Sequence, residues 1–153
     1  MDSEKFVQMV RRSFAGTLME DVGMELVEAA DGRARARVAM SSRLRQPTGL
    51  VHAGALVALA DTAATTAALS VCNPEGDPSA ERFPLAVQLS ANLVGNTREG
   101  LLEAEASVIH RGGTTMVAEA RVSDGTGRLL AKVTVTLLTP RSAGAVAAAA
   151  TRR

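Results

Sequence analysis

Aromatic residues and cysteines are scarce in this chain. Its 153 residues include three phenylalanines, no tyrosine, no tryptophan and a single cysteine, Cys72. Proteins that bind single-stranded nucleic acid stack bases on aromatic side chains, so we expect no nucleic-acid partner. One cysteine excludes an internal disulfide bond and a metal site built from several cysteines. The two histidines, His52 and His110, have no carboxylate at i+4 spacing, and we expect neither a metal nor a cofactor.

The charges of the chain nearly balance, and from its first residues we expect no leader segment. Its formal net charge is +1, which implies no polyanionic partner. The first residues, MDSEKF, lack the basic and apolar regions of a secretory signal, and we expect a cytoplasmic protein. The length suits one domain with a core. We predict that domain over residues 1–141, with an N-terminal helical segment over 1–18 and an alanine-rich, low-complexity tail over 142–153.

The longest apolar stretch, Gly49 to Cys72, predicts one long helix. From Ala53 to Leu69 it contains only Ala, Val, Leu, Thr, one Gly and one charged residue, Asp61. A helix that is apolar on almost every side is buried on every side, in a protein core or in a membrane. Ala and Thr dominate here, and a carboxylate is costly in lipid, so we predict a core helix and no membrane partner.

Alternating apolar and polar residues predict six strands around this helix. The predicted strands are Met24–Ala30, Arg33–Met40, Leu85–Leu93, Leu102–His110, Met116–Val122 and Leu129–Leu137. Within Leu85–Leu93 we expect the odd-numbered residues to share one face. Tight turns join most of the strands, which requires an antiparallel sheet. We therefore predict an α+β fold, in which a curved antiparallel sheet of five to six strands wraps round one long central helix.

Asp61 and the start of the central helix are the candidates for chemistry. A buried carboxylate costs on the order of several kcal/mol unless it is paired or functional. Asp61 therefore either bonds a buried arginine or a backbone amide, or takes part in catalysis. His52, Ala53 and Gly54 stand where the helix begins, and the amides of a first helical turn lack internal partners. Small residues there allow a ligand oxygen to approach, as in an oxyanion hole.

The spacing of these groups indicates a site shared by two chains. Asp61 lies eight residues after Ala53, and these residues are about 12 Å apart along a helix axis. The Asp61 side chain is too short to act on a carbonyl bound at its own helix start. If both groups act on one substrate, they must come from two chains, and we expect a homodimer in which two central helices run antiparallel across a twofold axis. Apart from this spacing argument, we also expect a dimer of dimers.

The segment Gly49-Leu50-Val51-His52-Ala53-Gly54, followed by Asp61, resembles the signature of hotdog-fold acyl-CoA thioesterases of the phenylacetate-degradation and 4-hydroxybenzoyl-CoA types. In that family a loop Asn, a Gly and then His-Gly-Gly precede a helix with an acidic residue. The order of strands and helix is also similar, from about Met19 to Thr139. The resemblance implies that His52 braces the loop, that the amides of Ala53 and Gly54 hold the thioester oxygen, and that Asp61 is nucleophile or general base.

Three features depart from the family's pattern. Gln46 stands where the family usually has an Asn that helps to place the substrate carbonyl or water, and it keeps amide chemistry. Ala53 replaces the first glycine after the histidine, which keeps the N–H but adds a methyl group. Ala86 or Gln88 falls near the strand position where some members supply a polar helper to the water.

The resemblance implies hydrolysis of a small aryl- or short- to medium-chain acyl-CoA to the free acid and CoA, with Asp61 activating water or attacking directly. Asn92, Arg98 and Arg111 are candidates for binding CoA on strand-edge loops, where a basic group favours phosphate, although ordinary surface charge also explains them. Two alternatives stay open. One is an enoyl-CoA hydratase or dehydratase of the same fold, and the other is a non-catalytic acyl-CoA-binding module.

Overall fold

The computed structural model of the protein describes residues 3–76, 79 and 82–140. The helices are α1 (Ser3–Ser13), α2 (Leu18–Val22) and α3 (Ala53–Cys72), and a short 3-10 helix spans Ser42–Leu44. The strands are β1 (Glu25–Ala30), β2 (Arg33–Ala39), β3 (Leu85–Leu93), β4 (Leu101–Arg111), β5 (Thr115–Asp124) and β6 (Leu129–Leu138). The predicted tail, 142–153, lies outside the described residues.

All six strands belong to one antiparallel sheet with the order β1-β2-β4-β5-β6-β3. Strand β3 follows α3 in the chain and pairs with β6, so β1 and β3 are the two edges of the sheet. Helix α3 contacts every strand, which means that the sheet wraps round it. The predicted α+β architecture, one curved antiparallel sheet around one long helix, is confirmed.

Alanine lets the helix and the sheet approach each other closely. The fully buried alanines of α3 are Ala60, Ala63, Ala64, Ala67 and Ala68, and those of the sheet are Ala36, Ala104, Ala118, Ala120 and Ala131. Helix α3 has the length and hydropathy of a membrane span, but the core helix of a water-soluble protein has them too. Ten residues of α3 are buried within this fold, as expected of a core helix.

Helix α3 is not buried on every side, in contrast to the expectation. The residues that keep partial or full solvent exposure between Gly54 and Thr65 recur three and four positions apart, so they form one stripe along the helix. We call it the open stripe, and it consists of Gly54, Ala55, Val57, Ala58, Asp61, Thr62 and Thr65. Asp61 therefore lies on the one side of α3 that the sheet leaves uncovered.

Strand β3 departs from simple alternation. Its register with β6 shifts between Ala86 and Gln88, so Val87 is an extra residue in the strand. Paired residues point to the same face of a sheet, and Ala86 pairs with Leu137, which is fully buried. The helix-facing residues of β3 are Ala86, Leu89, Ala91 and Leu93, and the outward-facing ones are Leu85, Gln88, Ser90 and Asn92. The expectation that the odd-numbered residues share one face is confirmed for Leu89, Ala91 and Leu93 and was wrong for Leu85 and Val87, because a one-residue bulge at Val87 reverses the alternation.

The N-terminal segment contains two helices rather than one. Helix α1 ends at Ser13, before the predicted limit of residue 18, and α2 begins at Leu18. Gly16, between them, has a φ of 71°, in the left-handed region that ends helices. The buried residues of α1, Phe6, Val7 and Val10, belong to the hydrophobic core.

Removing a buried leucine from α3 tests whether this helix carries the core. Leu59 is fully buried, so Leu59→Ala is expected to lower the free energy of unfolding by about 2–5 kcal/mol, measured by urea denaturation. Leu18→Ala is the matched control, because Leu18 is 58% exposed on α2, and its effect should stay within about 0.5 kcal/mol. Equal losses for the two variants would contradict the central position of α3.

Candidate active site

The start of α3 presents a free backbone N–H at Ala53. The carbonyl oxygen of His52 accepts hydrogen bonds from the N–H groups of Ala55 (2.9 Å) and Leu56 (3.4 Å). The peptide group that joins His52 to Ala53 is planar and trans, so the N–H of Ala53 points the opposite way, off the end of the helix. No described residue accepts a hydrogen bond from it. One donor is therefore left for a ligand.

The N–H of Gly54 has a partner within the protein. It donates to Nδ1 of His52 at 2.8 Å, which makes His52 the N-cap of α3. An accepting ring nitrogen carries no hydrogen, so in the neutral ring the hydrogen is on Nε2. This differs from the expectation that the amides of both Ala53 and Gly54 are free, because the cap satisfies one of them.

The loop before α3 is closed by its own hydrogen bonds. The N–H of Gly49 donates to the carbonyl of Gln46, and the N–H of Gln46 donates to the carbonyl of Leu50, each at 2.9 Å. Gly49 has a φ of 83°, a conformation that favours glycine. The side-chain amide of Gln46 donates from Nε2 to the hydroxyl of Thr48 at 2.8 Å. Gln46 is thus held within the loop that leads into α3.

A second loop, between β3 and β4, holds the first in place. Oδ1 of Asn96 accepts from the N–H of Val51 (3.0 Å), and Nδ2 of Asn96 donates to the carbonyl of Val51 (3.3 Å). The N–H of Val51 also donates to the carbonyl of Thr97 at 2.9 Å. Sequence reasoning missed this contact of Asn96, although the loop from Asn92 to Arg98 was considered for CoA binding, since Val51 is 45 residues away in the chain and no periodic pattern marks the pair.

Asn96 is in turn anchored to the turn between β5 and β6. Arg128 donates from Nη2 to the carbonyl of Asn96 at 2.6 Å and from Nε to Oδ2 of Asp124 at 3.0 Å. The hydroxyl of Thr126 donates to the same carboxyl group, and this bond, assisted by Arg128, lowers the pKa of Asp124 to about 2. The carboxyl is ionised at neutral pH and keeps its pairing with Arg128.

Asp61 lies two turns into α3, half-buried on the open stripe. It accepts one hydrogen bond among the described residues, from the hydroxyl of Thr65 at 3.4 Å. No described lysine, arginine or histidine forms an ion pair with it, so pairing with a buried arginine is not observed. Burial raises the pKa of Asp61, and the bond from Thr65 opposes that shift. The carboxylate of Asp61 therefore has one hydrogen bond and no ion pair among the described residues, and it is partly exposed to solvent.

Arg98 lies at the same end of α3 as Ala53. Its Nη1 donates to the carbonyl of Thr48 at 2.8 Å, and Nη1 of Arg45 donates to the carbonyl of Gly49 at 3.2 Å. A methyl group on Gly49 would lie 2.9 Å from the first of these nitrogens and 4.0 Å from the second. Two guanidinium groups therefore share one corner of the loop.

The other candidates lie elsewhere in the single chain. Arg111 donates from Nη2 to the carbonyl of Val71 at 3.4 Å, so it is at the far end of α3. Gln88 and Asn92 face outward from β3, and Ala86 faces the helix. Of the residues that were not candidates, His110 is exposed, and Cys72 is half-buried, which raises the pKa of its thiol. Among the described residues no group of three His, Cys, Asp or Glu side chains could hold a metal ion.

Comparisons with known proteins place this chain in a family. Residues 48–131 match the model of the Thioesterase superfamily. The 1,4-dihydroxy-2-naphthoyl-CoA hydrolase of Listeria monocytogenes is 31% identical over 113 residues, which cover 74% of this chain and 87% of that protein. A putative esterase of Bacillus subtilis is 33% identical over 114 residues, covering 74% and 86%. The solved structure of a mutant thioesterase from Pseudomonas aeruginosa superposes with a TM-score of 0.76 at 25% identity, covering 86% of this chain and 91% of that one.

The matched residues contain both parts of the candidate site. They include all of α3, with Ala53 and Asp61, and the loop that carries Asn96. The resemblance found in the sequence and the hotdog fold that it implied are confirmed. The chain belongs to the thioesterase superfamily and is a thioester hydrolase with the hotdog fold.

Proposed function

We propose that the protein hydrolyses an acyl-CoA with a small aryl or a short- to medium-chain acyl group, giving the free acid and CoA. The observation that carries this proposal is that the N–H of Ala53 is free in a chain that also exposes the carboxylate of Asp61. This carboxylate has no ion pair among the described residues. An aryl group is supported by relatives from two organisms that are named 1,4-dihydroxy-2-naphthoyl-CoA hydrolase. No aromatic side chain occurs on α3, which leaves room for an acyl group beside it.

The N–H of Ala53 supplies the electrostatic part of the mechanism. When the thioester carbonyl becomes tetrahedral, negative charge develops on its oxygen. A donor already aimed at that position stabilises the charge without reorganising, and the positive end of the α3 dipole adds to it. The amide of Gln46, held in the adjoining loop, is the second group proposed to orient the carbonyl or the water.

Asp61 supplies the attack on the carbonyl carbon. As a general base it accepts a proton from water while the water oxygen bonds to the carbon, and CoA leaves as its thiolate. As a nucleophile its own oxygen bonds to the carbon, CoA leaves, and water then opens the resulting anhydride. Both routes need the ionised carboxylate, and the raised pKa of Asp61 makes it a stronger base than an exposed aspartate.

A second copy of the chain is needed to bring these groups together. Ala53 and Asp61 of one chain are about 12 Å apart along α3. Strand β3 is an edge strand with exposed apolar residues, including Val87 (51%), Leu89 (41%) and Leu93 (47%). Free strand edges and apolar patches favour association. We infer a homodimer in which Ala53 of one protomer and Asp61 of the other share one substrate.

The arginine candidates suit the phosphates of CoA in such a dimer. Arg98 and its neighbour Arg45 lie at the start of α3, and Arg111 lies at its end. When two α3 helices run antiparallel with Asp61 of one beside Ala53 of the other, the end of one helix extends about 16 Å past the start of the other. The Arg98 corner of one protomer and Arg111 of its partner then flank the same bound CoA, where guanidinium groups bind phosphate oxygens.

The proposed activity is tested by the release of free CoA thiol from a panel of aryl-, short-chain and medium-chain acyl-CoAs. We expect hydrolysis of at least one member and no addition of water to an enoyl-CoA. In the same assay Asp61→Asn is expected to lower kcat by at least about 100-fold, because the variant can neither accept a proton nor attack. Wild-type turnover by Asp61→Asn would refute the role of Asp61.

The stability of Asp61→Asn shows whether its loss of activity comes from misfolding. Because burial raises the pKa of Asp61, the ionised carboxylate is less favourable in the folded protein than in the unfolded chain. The ionised form therefore costs stability above that pKa, and the cost disappears as the pH falls through it. Asp61→Asn should be at least as stable as the wild type at neutral pH, with an advantage that shrinks in acid. Thermal unfolding at several pH values measures this difference.

Mixed dimers test the shared site. Ala53 is the first residue of α3, where proline is well tolerated, and His52 has a φ of −69° and a ψ of 134°, which suit the residue before a proline. Ala53→Pro thus removes the free N–H, while Ala53→Ser keeps it and serves as the control. Dimers of one Asp61→Asn chain and one Ala53→Pro chain should regain about half of wild-type turnover, since one of two symmetric sites is intact. If purified mixed dimers regain no turnover, the shared site is refuted.

A further inference from the structure

We propose that Asn96 is a positioning residue for the oxyanion donor, acting through the backbone of Val51. The inference rests on the role proposed above for the N–H of Ala53. Asn96 lies outside the signature segment Gly49–Gly54, and its side chain bonds the backbone of Val51, two residues before that donor. The backbone groups from Val51 to Ala53 show how Asn96 can orient the N–H of Ala53.

Every backbone polar group just before the free donor has a partner. Asn96 holds both the N–H and the carbonyl of Val51. The N–H of His52 donates to the carbonyl of Leu44 at 2.8 Å, and the carbonyl of His52 accepts the first bonds of α3. The N–H of Ala53 is the first group in this series without a partner among the described residues. The direction of the Ala53 N–H is therefore set by the hydrogen bonds that hold Val51 and His52.

An asparagine side chain fits this task because the backbone of Val51 presents an N–H and a carbonyl, which need one acceptor and one donor side by side. Oδ1 accepts from the N–H groups of Val51 (3.0 Å) and Thr97 (2.8 Å), and Nδ2 donates to the carbonyl of Val51. An ionised aspartate offers acceptors only, so one of its oxygens would face the Val51 carbonyl oxygen. Alanine would leave both groups of Val51 without the side-chain partner.

The Asn96 contact is itself held rigidly. Arg128 bonds the carbonyl of Asn96 at 2.6 Å, and Asp124 fixes Arg128. A continuous series of hydrogen bonds therefore runs from the β5–β6 turn through Asn96 to the start of α3. Small displacements of a group that stabilises a transition state cost large factors in rate, which makes such support functionally significant.

The test compares Asn96→Asp and Asn96→Ala with Ser70→Ala. The control removes a side-chain hydrogen bond to a backbone group, Ser70 with the N–H of Gly32 at 3.0 Å, at the other end of α3. On an acyl-CoA that the wild type hydrolyses, both Asn96 variants are expected to lower kcat by about 10- to 100-fold, with KM changed by less than about threefold. Ser70→Ala should lower the unfolding temperature but keep wild-type kcat.

The pH dependence separates positioning from simple destabilisation. In Asn96→Asp, protonation of the new carboxyl restores a donor toward the Val51 carbonyl, so kcat relative to wild type should rise as the pH falls. Folded Asn96 variants with wild-type kcat, or variants that do not fold by circular dichroism, would overturn the positioning role. If Ala53→Pro is inactive while the Asn96 variants are active, only this inference fails. If Ala53→Pro is active, the role proposed for the N–H of Ala53 as oxyanion donor is wrong, and this inference is wrong as well.

Discussion

The close approach of α3 to the sheet is the constraint on which the rest of the structure depends. Fully buried alanines line both sides of the contact, and larger side chains there would hold the sheet away from the helix. A sheet of six strands that curls this tightly still covers only part of a helix, and the open stripe is the remainder. The carboxylate of Asp61 lies on that stripe, so the packing of the core decides where the acid is accessible.

A straight helix also fixes the distance between the two groups proposed to act on the substrate. The free donor is at the start of α3 and the acid is two turns further along, and neither can move without unwinding the helix. The hydrogen bonds around Val51 and His52 fix the direction of the donor. The fold thus provides two rigid halves of a site, and symmetry is the simplest way to bring the halves together.

The sequence predicted those parts of the fold that depend on local pattern. Helix α3 follows from a continuous apolar stretch, Asp61 from its being the one charged residue between Ala53 and Leu69, and the strands from the alternation of apolar and polar residues. All three are properties of neighbouring residues. The bulge at Val87 could not be predicted in this way, because it depends on pairing with β6, far along the chain. The short helix α2 was missed as well, since five residues are too few to show a period.

The candidate site shows the same limit. Ala53 was identified from its position at a helix start, but the bond between Gly54 and Nδ1 of His52 depends on a side-chain rotamer that no sequence pattern gives. The role of Asn96 at Val51 was missed because it comes from a contact across 45 residues. Arg98 and Arg111 were grouped as one class of basic residue, whereas the fold places them at opposite ends of α3.

The most direct measurement is a crystal structure of the protein with a substrate analogue in which a methylene is inserted between the sulfur and the carbonyl carbon of an acyl-CoA. This ketone keeps the carbonyl oxygen but cannot be hydrolysed. The account predicts that the oxygen lies within hydrogen-bond distance of the N–H of Ala53 in one protomer, with Asp61 of the other protomer beside the carbonyl carbon. A carbonyl bound away from Ala53, or contacted by Ala53 and Asp61 of the same chain, would contradict it.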